Sequence, residues 1–103
     1  MNNIPQYPTP RYSITRYSTR QLLAYFRATC FWRGYYLRMM QNQAGEQSKH
    51  RVVARRQYRN LGTLRAKVRA TLLDRDRTLC NVMEVLQDAF RSQADKHYDR
   101  VAS

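Results

Sequence analysis

The sequence has few residues that break helices. Only three glycines and three prolines occur among its 103 residues, and all three prolines lie in the first ten. Long stretches without turn residues favour helices over strands, because strands are normally separated by turns rich in glycine and proline. A chain of this length forms one domain at most, and the core that it buries is modest.

Acidic residues are nearly absent from the first part of the chain. Residues 1–73 contain fourteen basic residues and one acid, Glu46, whereas residues 74–103 contain five basic and six acidic residues. The formal net charge is +12, with sixteen arginines against three lysines. The electrostatic field of so positive a chain attracts polyanions or acidic proteins. Arginine in particular favours bidentate contact with carboxylate or phosphate.

Signals of membrane insertion and of metal binding are also missing. The most apolar segment, residues 21–40, contains three arginines, which excludes a simple membrane span. The two cysteines, Cys30 and Cys80, have no metal-ligand spacing. We therefore expect two buried or half-buried thiols on different helices, with a disulfide between the helices as the alternative.

No catalytic constellation is visible in the sequence. His50 and His97 lie on different predicted helices without convergent ligands, and we interpret both as ordinary polar or core-edge residues. Nucleophile, phosphate-loop and zinc-protease motifs are missing. Glu84 and Asp88 are four residues apart but lack the histidine partner of a helical metal site. The sequence predicts a protein that is not an enzyme and has no cofactor or metal of its own.

The composition divides the chain into an arm and a helical domain. Residues 1–18 contain no acid and are rich in proline, tyrosine, serine and threonine, which predicts an extended basic N-terminal arm lying on a surface. The same composition is typical of mitochondrial targeting segments, and the sequence leaves that role open, although we expect the arm to be retained. Residues 19–103 form the predicted three-helix domain.

Hydrophobic periodicity predicts helices over about 19–42, 47–73 and 78–100, the first capped by Ser18 or Thr19. The apolar stripe of the first helix consists of Leu22, Phe26, Cys30, Leu37 and Met40. That of the second consists of Val53, Ala54, Leu61, Leu64, Val68 and Leu72, and that of the third of Leu79, Val82, Met83, Leu86, Phe90, Ala94, His97 and Val101. Together they predict an all-α fold, an antiparallel three-helix bundle. The first stripe is irregular, because arginine at position 33 falls near it and the glycine that follows suits a kink or a close helix crossing.

Basic and acidic side chains follow the helices in rows. Beside the stripe of the second helix lie Arg51, Arg55, Arg59 and Arg69, and the third helix carries Glu84, Asp88, Asp95 and Asp99. We expect the acidic row to face the basic helix, where each exposed ion pair would stabilise the fold by about 0.2–1 kcal/mol. Because the basic residues outnumber the acidic ones, we predict that they contact an acidic protein or phosphate. The alternative is that the basic face is simply solvated.

Six of the twelve aromatic residues lie between positions 25 and 36. Core packing accounts for Phe26 and Trp32, but a core of this size is too small for all six. We therefore expect some of the remaining four to cover another macromolecule, since tyrosine, tryptophan and arginine are typical interface anchors. The four are Tyr25, Phe31, Tyr35 and Tyr36.

Two segments resemble the LYR family of small mitochondrial proteins over about residues 20–95. The segment "YFR", which is Tyr25, Phe26 and Arg27, stands where the family has Leu-Tyr-Arg early in its first helix. The segment "LRAKVRATLLDRD" matches the family pattern R-x-x-V-R-x-x-F at Arg65, Val68, Arg69 and Leu72. Tyrosine, phenylalanine and leucine at positions 25, 26 and 72 depart from the family residues, as does Leu73, where an arginine is usual.

The resemblance implies a partner and a location. Members of the family bind the acidic mitochondrial acyl carrier protein, whose phosphopantetheine-linked acyl chain enters the three-helix core, and many are accessory subunits or assembly factors of respiratory complexes. By match, Arg27, Arg65 and Arg69 would meet the acids of the carrier, and Phe26 would line the acyl route.

The sequence as a whole predicts a non-catalytic accessory subunit of a mitochondrial respiratory-chain complex. It would lie peripherally on the matrix side of the inner membrane and contact several subunits. A mitochondrial ribosomal or other RNA-binding protein is the alternative, with arginine on phosphates and tyrosine stacked on bases. The predicted partner-binding residues are Tyr25, Phe26, Arg27, Trp32, Arg38, Arg55, Arg59, Arg65 and Arg69.

Overall fold

The computed structural model describes residue 10 and residues 13–42 and 48–102, and within these parts it contains helices and no strands. The elements are a 3₁₀ turn at Ile14–Arg16 and three α-helices, α1 (Thr19–Asn42), α2 (Ser48–Arg75) and α3 (Leu79–Ala102). The three predicted helices are therefore confirmed, with ends that differ from the predicted ones by about two residues.

The 3₁₀ turn lies inside the segment that the sequence predicts to be extended. This segment packs against the helical domain: Ile14 and Tyr17 contact a buried cluster that includes Leu22 and Phe26 of α1. Arg75, at the end of α2, donates hydrogen bonds to the Thr15 carbonyl oxygen at 3.1 Å and to the Thr19 hydroxyl at 3.4 Å. Residues 1–9 and 11–12, the rest of the predicted arm, lie outside the described residues.

Local hydrogen bonds at two junctions explain where the helices begin. Ser18 and Gln21 form a reciprocal capping box, with Ser18 N–H to Oε1 at 2.9 Å and Gln21 N–H to Oγ at 3.1 Å. Between α2 and α3, the Asp76 carboxylate accepts from the backbone N–H and the hydroxyl of Thr78, at 2.9 and 2.6 Å. These two bonds hold the pKa of Asp76 below its usual value.

Helix α1 lies between α2 and α3 and packs against both, whereas α2 and α3 touch each other in few places. Two buried clusters result. The first joins the start of α1 to the end of α2 and the start of α3: Leu22, Phe26, Cys30, Val68, Leu72 and Met83. The second joins the end of α1 to the start of α2 and the end of α3: Tyr35, Tyr36, Met39, Ala54, Leu61, Ala94 and Tyr98.

The central position of α1 corrects part of the predicted core. Tyr35, Tyr36 and Met39 are buried although they lie off the predicted stripe. A helix with neighbours on two sides buries more of its circumference than a single stripe. The outer helix α3 shows the opposite error, because Val82 and Val101 are 45% and 59% exposed.

Gly34 lies at a close crossing of α1 and α3. A Cβ atom at this position would lie 3.1 Å from the Ala94 Cβ and 3.7 Å from the Arg91 Cα. We expect Gly34→Val to lower the free energy of unfolding by about 1–3 kcal/mol, because its γ-methyl groups overpack this crossing.

Gly62 provides the matched control, since a Cβ there would make only an ordinary contact, 3.5 Å from the Arg33 Nε. Gly62→Ala should stabilise the protein by roughly 0.5–1 kcal/mol, the difference in helix propensity. Urea unfolding followed by circular dichroism measures both variants. Equal effects at the two glycines would contradict the close crossing of α1 and α3.

Candidate functional site

A cavity of about 70 Å³ opens where α2 and α3 separate above α1. Each helix contributes to its lining. The residues that matter chemically are Cys30 and Arg33 from α1, Tyr58 and Arg65 from α2, and Gln87 and Arg91 from α3. Three arginines from three helices therefore meet in one place, and no acidic side chain belongs to the lining that the described residues form.

Arg33 runs from α1 across the inner surface of α2. Its guanidinium carbon lies 4.3 Å from the centroid of the Tyr58 ring, which is within the range of a cation–π contact. The side chain of Arg33 lies over Gly62, with its Nε 3.5 Å from the position that a Cβ atom of residue 62 would take. The Arg33 Nε is buried and has no hydrogen-bond partner among the described residues.

Arg65 bridges the mouth of the cavity from α2 to α3. One terminal nitrogen donates a hydrogen bond of 2.8 Å to Gln87 Oε1, while the Arg65 Nε is buried without a partner in the described part of the chain. The neighbouring Cys30 thiol has a raised pKa, because burial disfavours the thiolate more than the charges of Arg65 and Arg33 favour it. The cavity is thus strongly positive and holds a protonated thiol.

A second, shallower depression continues the cavity onto the outside of α2. It shares Arg33, Tyr58 and Arg65 with the cavity and adds Arg59 and Lys67. The basic lining therefore extends from the interior of the bundle to its surface.

The exposed face of α2 carries a further row of arginines. The helix contains nine basic residues and a single acid, Asp74. Arg55, Arg56 and Arg59 are exposed, and within the described ranges their guanidinium groups form no ion pair or hydrogen bond. We refer to these three residues as the α2 arginine row.

Two members of the acidic row of α3 pair with a helix other than the predicted one. Asp95 and Asp99 form ion pairs with Arg38 of α1, the former at 3.4 Å. Hydrogen bonding to Asp99 and Asp95 raises the pKa of Arg38, and its guanidinium also lies 5.1 Å from the Tyr98 ring centroid. Because α3 packs on α1 and is separated from most of α2, its acids meet the arginine of the nearer helix.

Where α2 does reach α3, its arginines meet neutral groups. Arg65 bonds to the amide of Gln87, and Arg69 lies 4.0 Å from the Cys80 sulfur. Glu84 and Asp88, the other two members of the acidic row, are exposed. The positive charge of α2 is thus left largely uncompensated by α3.

The aromatic residues of α1 are more deeply buried than the sequence indicates. Tyr35 and Tyr36 belong to the core, so of the four rings expected to include partner contacts only the half-buried Tyr25 and Phe31 remain candidates. Tyr35 makes edge-to-face contacts with Trp32, Tyr36 and Tyr98, at centroid distances of 5.4, 6.1 and 5.3 Å. These contacts bury ring surface inside the domain, which the sequence pattern alone does not predict.

The predicted partner-binding residues fall into three groups. Phe26 is buried in the first cluster, 1% exposed. The exposed residues are Arg27, Arg55 and Arg59, and the half-buried ones are Tyr25, Trp32, Arg38, Arg65 and Arg69. Arg65 belongs to the lining of the cavity, whereas Arg27 does not.

Sequence reasoning missed four residues of the cavity: Arg33, Tyr58, Gln87 and Arg91. One signal pointed to the first of them, since an arginine near an apolar stripe must reach an interior polar site or bend the helix. The other three carry no such signal, because each has an ordinary position on the flank of its own helix.

The remaining candidates for chemistry behave as small structural groups. Cys30 is buried and Cys80 is half-buried, both as free thiols, which confirms the predicted state. His97 packs at the core edge against the rings of Phe31 and Tyr35, at 5.5 and 5.6 Å, whereas the side chain of His50 lies outside the described residues.

The described residues contain no cluster of three or more histidine, cysteine or acidic side chains suited to a metal ion. None of their helices combines the length and the apolar character that crossing a bilayer requires. Comparisons with protein-family models, with curated proteins and with solved structures find no match for this chain.

Proposed function

We propose that the protein is a non-catalytic docking subunit that binds an acidic macromolecule through the α2 arginine row. In its specific form the proposal is an LYR-like accessory subunit of a mitochondrial respiratory-chain complex, on the matrix side of the inner membrane. Acyl carrier protein is the acidic partner that the resemblance suggests. The observation that carries the proposal is the row itself: Arg55, Arg56 and Arg59 are exposed and have no ion-pair partner among the described residues.

Charge balance supports an external partner over a solvated face. Ion pairs join Arg38 to Asp95 and Asp99, which places two of the seven acids on an arginine outside α2. Neighbouring arginines on one helix face repel one another, and an acidic surface removes that repulsion while steering the encounter. A complementary partner therefore gains both association rate and specificity.

The proposal includes the finer arrangement that the resemblance implies. The helices run antiparallel in sequence order, the basic N-terminal arm lies on neighbouring subunits, and Arg27, Arg65 and Arg69 meet carrier acids. An acyl chain from the carrier could reach Phe26 only if the helices part, because this ring is buried and the cavity of about 70 Å³ is far smaller than a chain requires. In this form the bound chain replaces contacts of the first buried cluster.

A native pull-down analysed by mass spectrometry tests the proposal. We expect the wild-type chain to recover an acyl carrier protein together with subunits of a membrane complex, and Arg27→Glu to lose the carrier. Arg77→Glu is the matched control, since Arg77 is equally exposed and lies in the turn between α2 and α3. Loss of the carrier in both variants, or in neither, would show that Arg27 does not contact it.

RNA binding is the second candidate, and the segment "HRVVARRQYR" favours it because four arginines and a tyrosine lie within ten residues. Phosphate contacts release counterions, so affinity for RNA should fall by about one log unit per log unit of salt for each phosphate contacted. Recovery of ribosomal RNA in the same pull-down, with this salt dependence, would replace the acyl carrier proposal.

A further inference from the structure

We propose that the cavity between α2 and α3 is a binding site for the phosphate group of a small phosphomonoester, held by Arg33, Arg65 and Arg91. The site differs from the α2 arginine row in position and in occupant: it lies in the gap between the three helices and takes a small anion. It does not depend on the proposed docking function, since the isolated chain contains every residue that it uses.

The charge of the lining is the first argument. Arg33, Arg65 and Arg91 come from three different helices and surround one small cavity without an acidic neighbour in the lining. Cations brought together in a partly buried place repel one another, and the usual remedy in proteins is a paired carboxylate. No acid of α3 belongs to this lining, since Asp95 and Asp99 bind Arg38, and Glu84 and Asp88 are exposed outside it. A bound anion would compensate the three charges.

Unused hydrogen-bond donors are the second argument. The Nε atoms of Arg33 and Arg65 are buried and have no partner among the described residues. Buried donors in folded proteins are nearly always satisfied, so an unpaired one calls for a partner that the chain does not supply. An anion in the cavity would accept from these donors once the two side chains turn toward it, and from the amide of Gln87, which Arg65 already orients.

The side chains are also held in place before any ligand arrives. The Arg33 guanidinium carbon lies 4.3 Å from the centroid of the Tyr58 ring, and Gln87 holds Arg65 through a hydrogen bond of 2.8 Å. Preorganised arginines lose less freedom on binding, which favours affinity for a planar or tetrahedral oxyanion.

The size of the cavity selects the ligand class. A volume of about 70 Å³ exceeds the roughly 10–15 Å³ that one water molecule requires and is well below the roughly 300–1,000 Å³ of a whole small-molecule pocket. It therefore suits one oxyanion group. Phosphate is favoured over carboxylate because a dianion balances more of the three charges and accepts from several arginines at once. The adjoining depression with Arg59 and Lys67 leaves room outside for the rest of the ester.

Thermal unfolding of the full chain, titrated at constant ionic strength, tests the site. The probes are inorganic phosphate and glycerol 2-phosphate, with acetate as the reference anion. We expect saturable increases of Tm with both phosphates and none with acetate. Arg91→Gln, an exposed substitution that leaves the core intact, should weaken the apparent affinity for phosphate roughly tenfold, the effect of one charge-assisted hydrogen bond.

Arg56→Gln is the matched control, because it removes the same charge from the exposed face of α2, outside the cavity. The control should bind phosphate like the wild type. Equal stabilisation by acetate, or an equal loss of affinity in Arg56→Gln, would overturn the proposal, since either result indicates general screening of the net charge.

Alkylation of the cysteines supplies a second readout, which uses the wild-type chain and needs no substitution. Cys30 lines the cavity and Cys80 does not. Phosphate should slow the reaction of Cys30 with iodoacetamide severalfold at constant ionic strength and leave that of Cys80 unchanged, as followed by peptide mass spectrometry. An unchanged rate at Cys30 in saturating phosphate would place the anion elsewhere and refute the site.

Discussion

Replacement of Tyr36 by alanine is expected to lower the free energy of unfolding by about 3–5 kcal/mol, the range for a large buried ring. Tyr36 is completely buried and is the largest of the fully buried side chains. It packs in the second cluster, where α1 contacts both α2 and α3, so its loss opens a cavity between three helices rather than two. Such a cavity collapses poorly, which places the expected cost in the upper part of the range.

Two variants make the measurement specific. Tyr25→Ala removes a half-buried ring that contacts Tyr17 at a centroid distance of 5.3 Å, and we expect a cost of only about 1 kcal/mol. Tyr36→Phe keeps the ring and should recover most of the stability lost in Tyr36→Ala. Urea unfolding followed by circular dichroism compares all three. A cost below that of Tyr25→Ala would contradict the complete burial of Tyr36.

The double charge reversal Arg55→Glu with Arg59→Glu should weaken binding of the acidic partner roughly 100-fold, since two attractions become repulsions. Both arginines are exposed and are separated by one helical turn, so they present their charge on the same face of α2. Fold stability should change by less than about 0.5 kcal/mol, because neither guanidinium has a partner to lose within the described structure.

The matched control is Arg77→Glu with Lys96→Glu, which changes the net charge equally at exposed positions outside α2. Isothermal titration with purified acyl carrier protein, at low and at high salt, measures the affinity of both variants. Equal weakening in the two variants would indicate that net charge alone steers the partner, and the α2 arginine row would then not be the docking surface.

Local features of this chain were predictable because neighbouring residues along the chain produce them. Ser18 and Gln21 are three residues apart, which is sufficient to place the capping box and the start of α1. The turn between α2 and α3 likewise follows from Asp76 and the residues next to it. The free thiols, too, were expected from the spacing of the cysteines.

Contacts between helices were less predictable, because they depend on the order in which the helices pack. The sequence pairs acidic α3 with α2, the helix that contains the most basic residues. In the structure α1 lies between them, and Arg38 of α1 takes Asp95 and Asp99. The same position gives α1 two buried sides, which is why Tyr35 and Tyr36 enter the core. No pattern within a single helix reports how many neighbours that helix has.

The sequence by itself determined the helical class, the ends of the helices and the excess of positive charge, since periodicity, caps and composition are properties of the local chain. Only the tertiary structure decided which rings are buried, which arginine the α3 acids bind, and that Arg33, Arg65 and Arg91 line one cavity. These outcomes depend on the rotation and separation of three helices, which are set by packing between residues far apart in the chain.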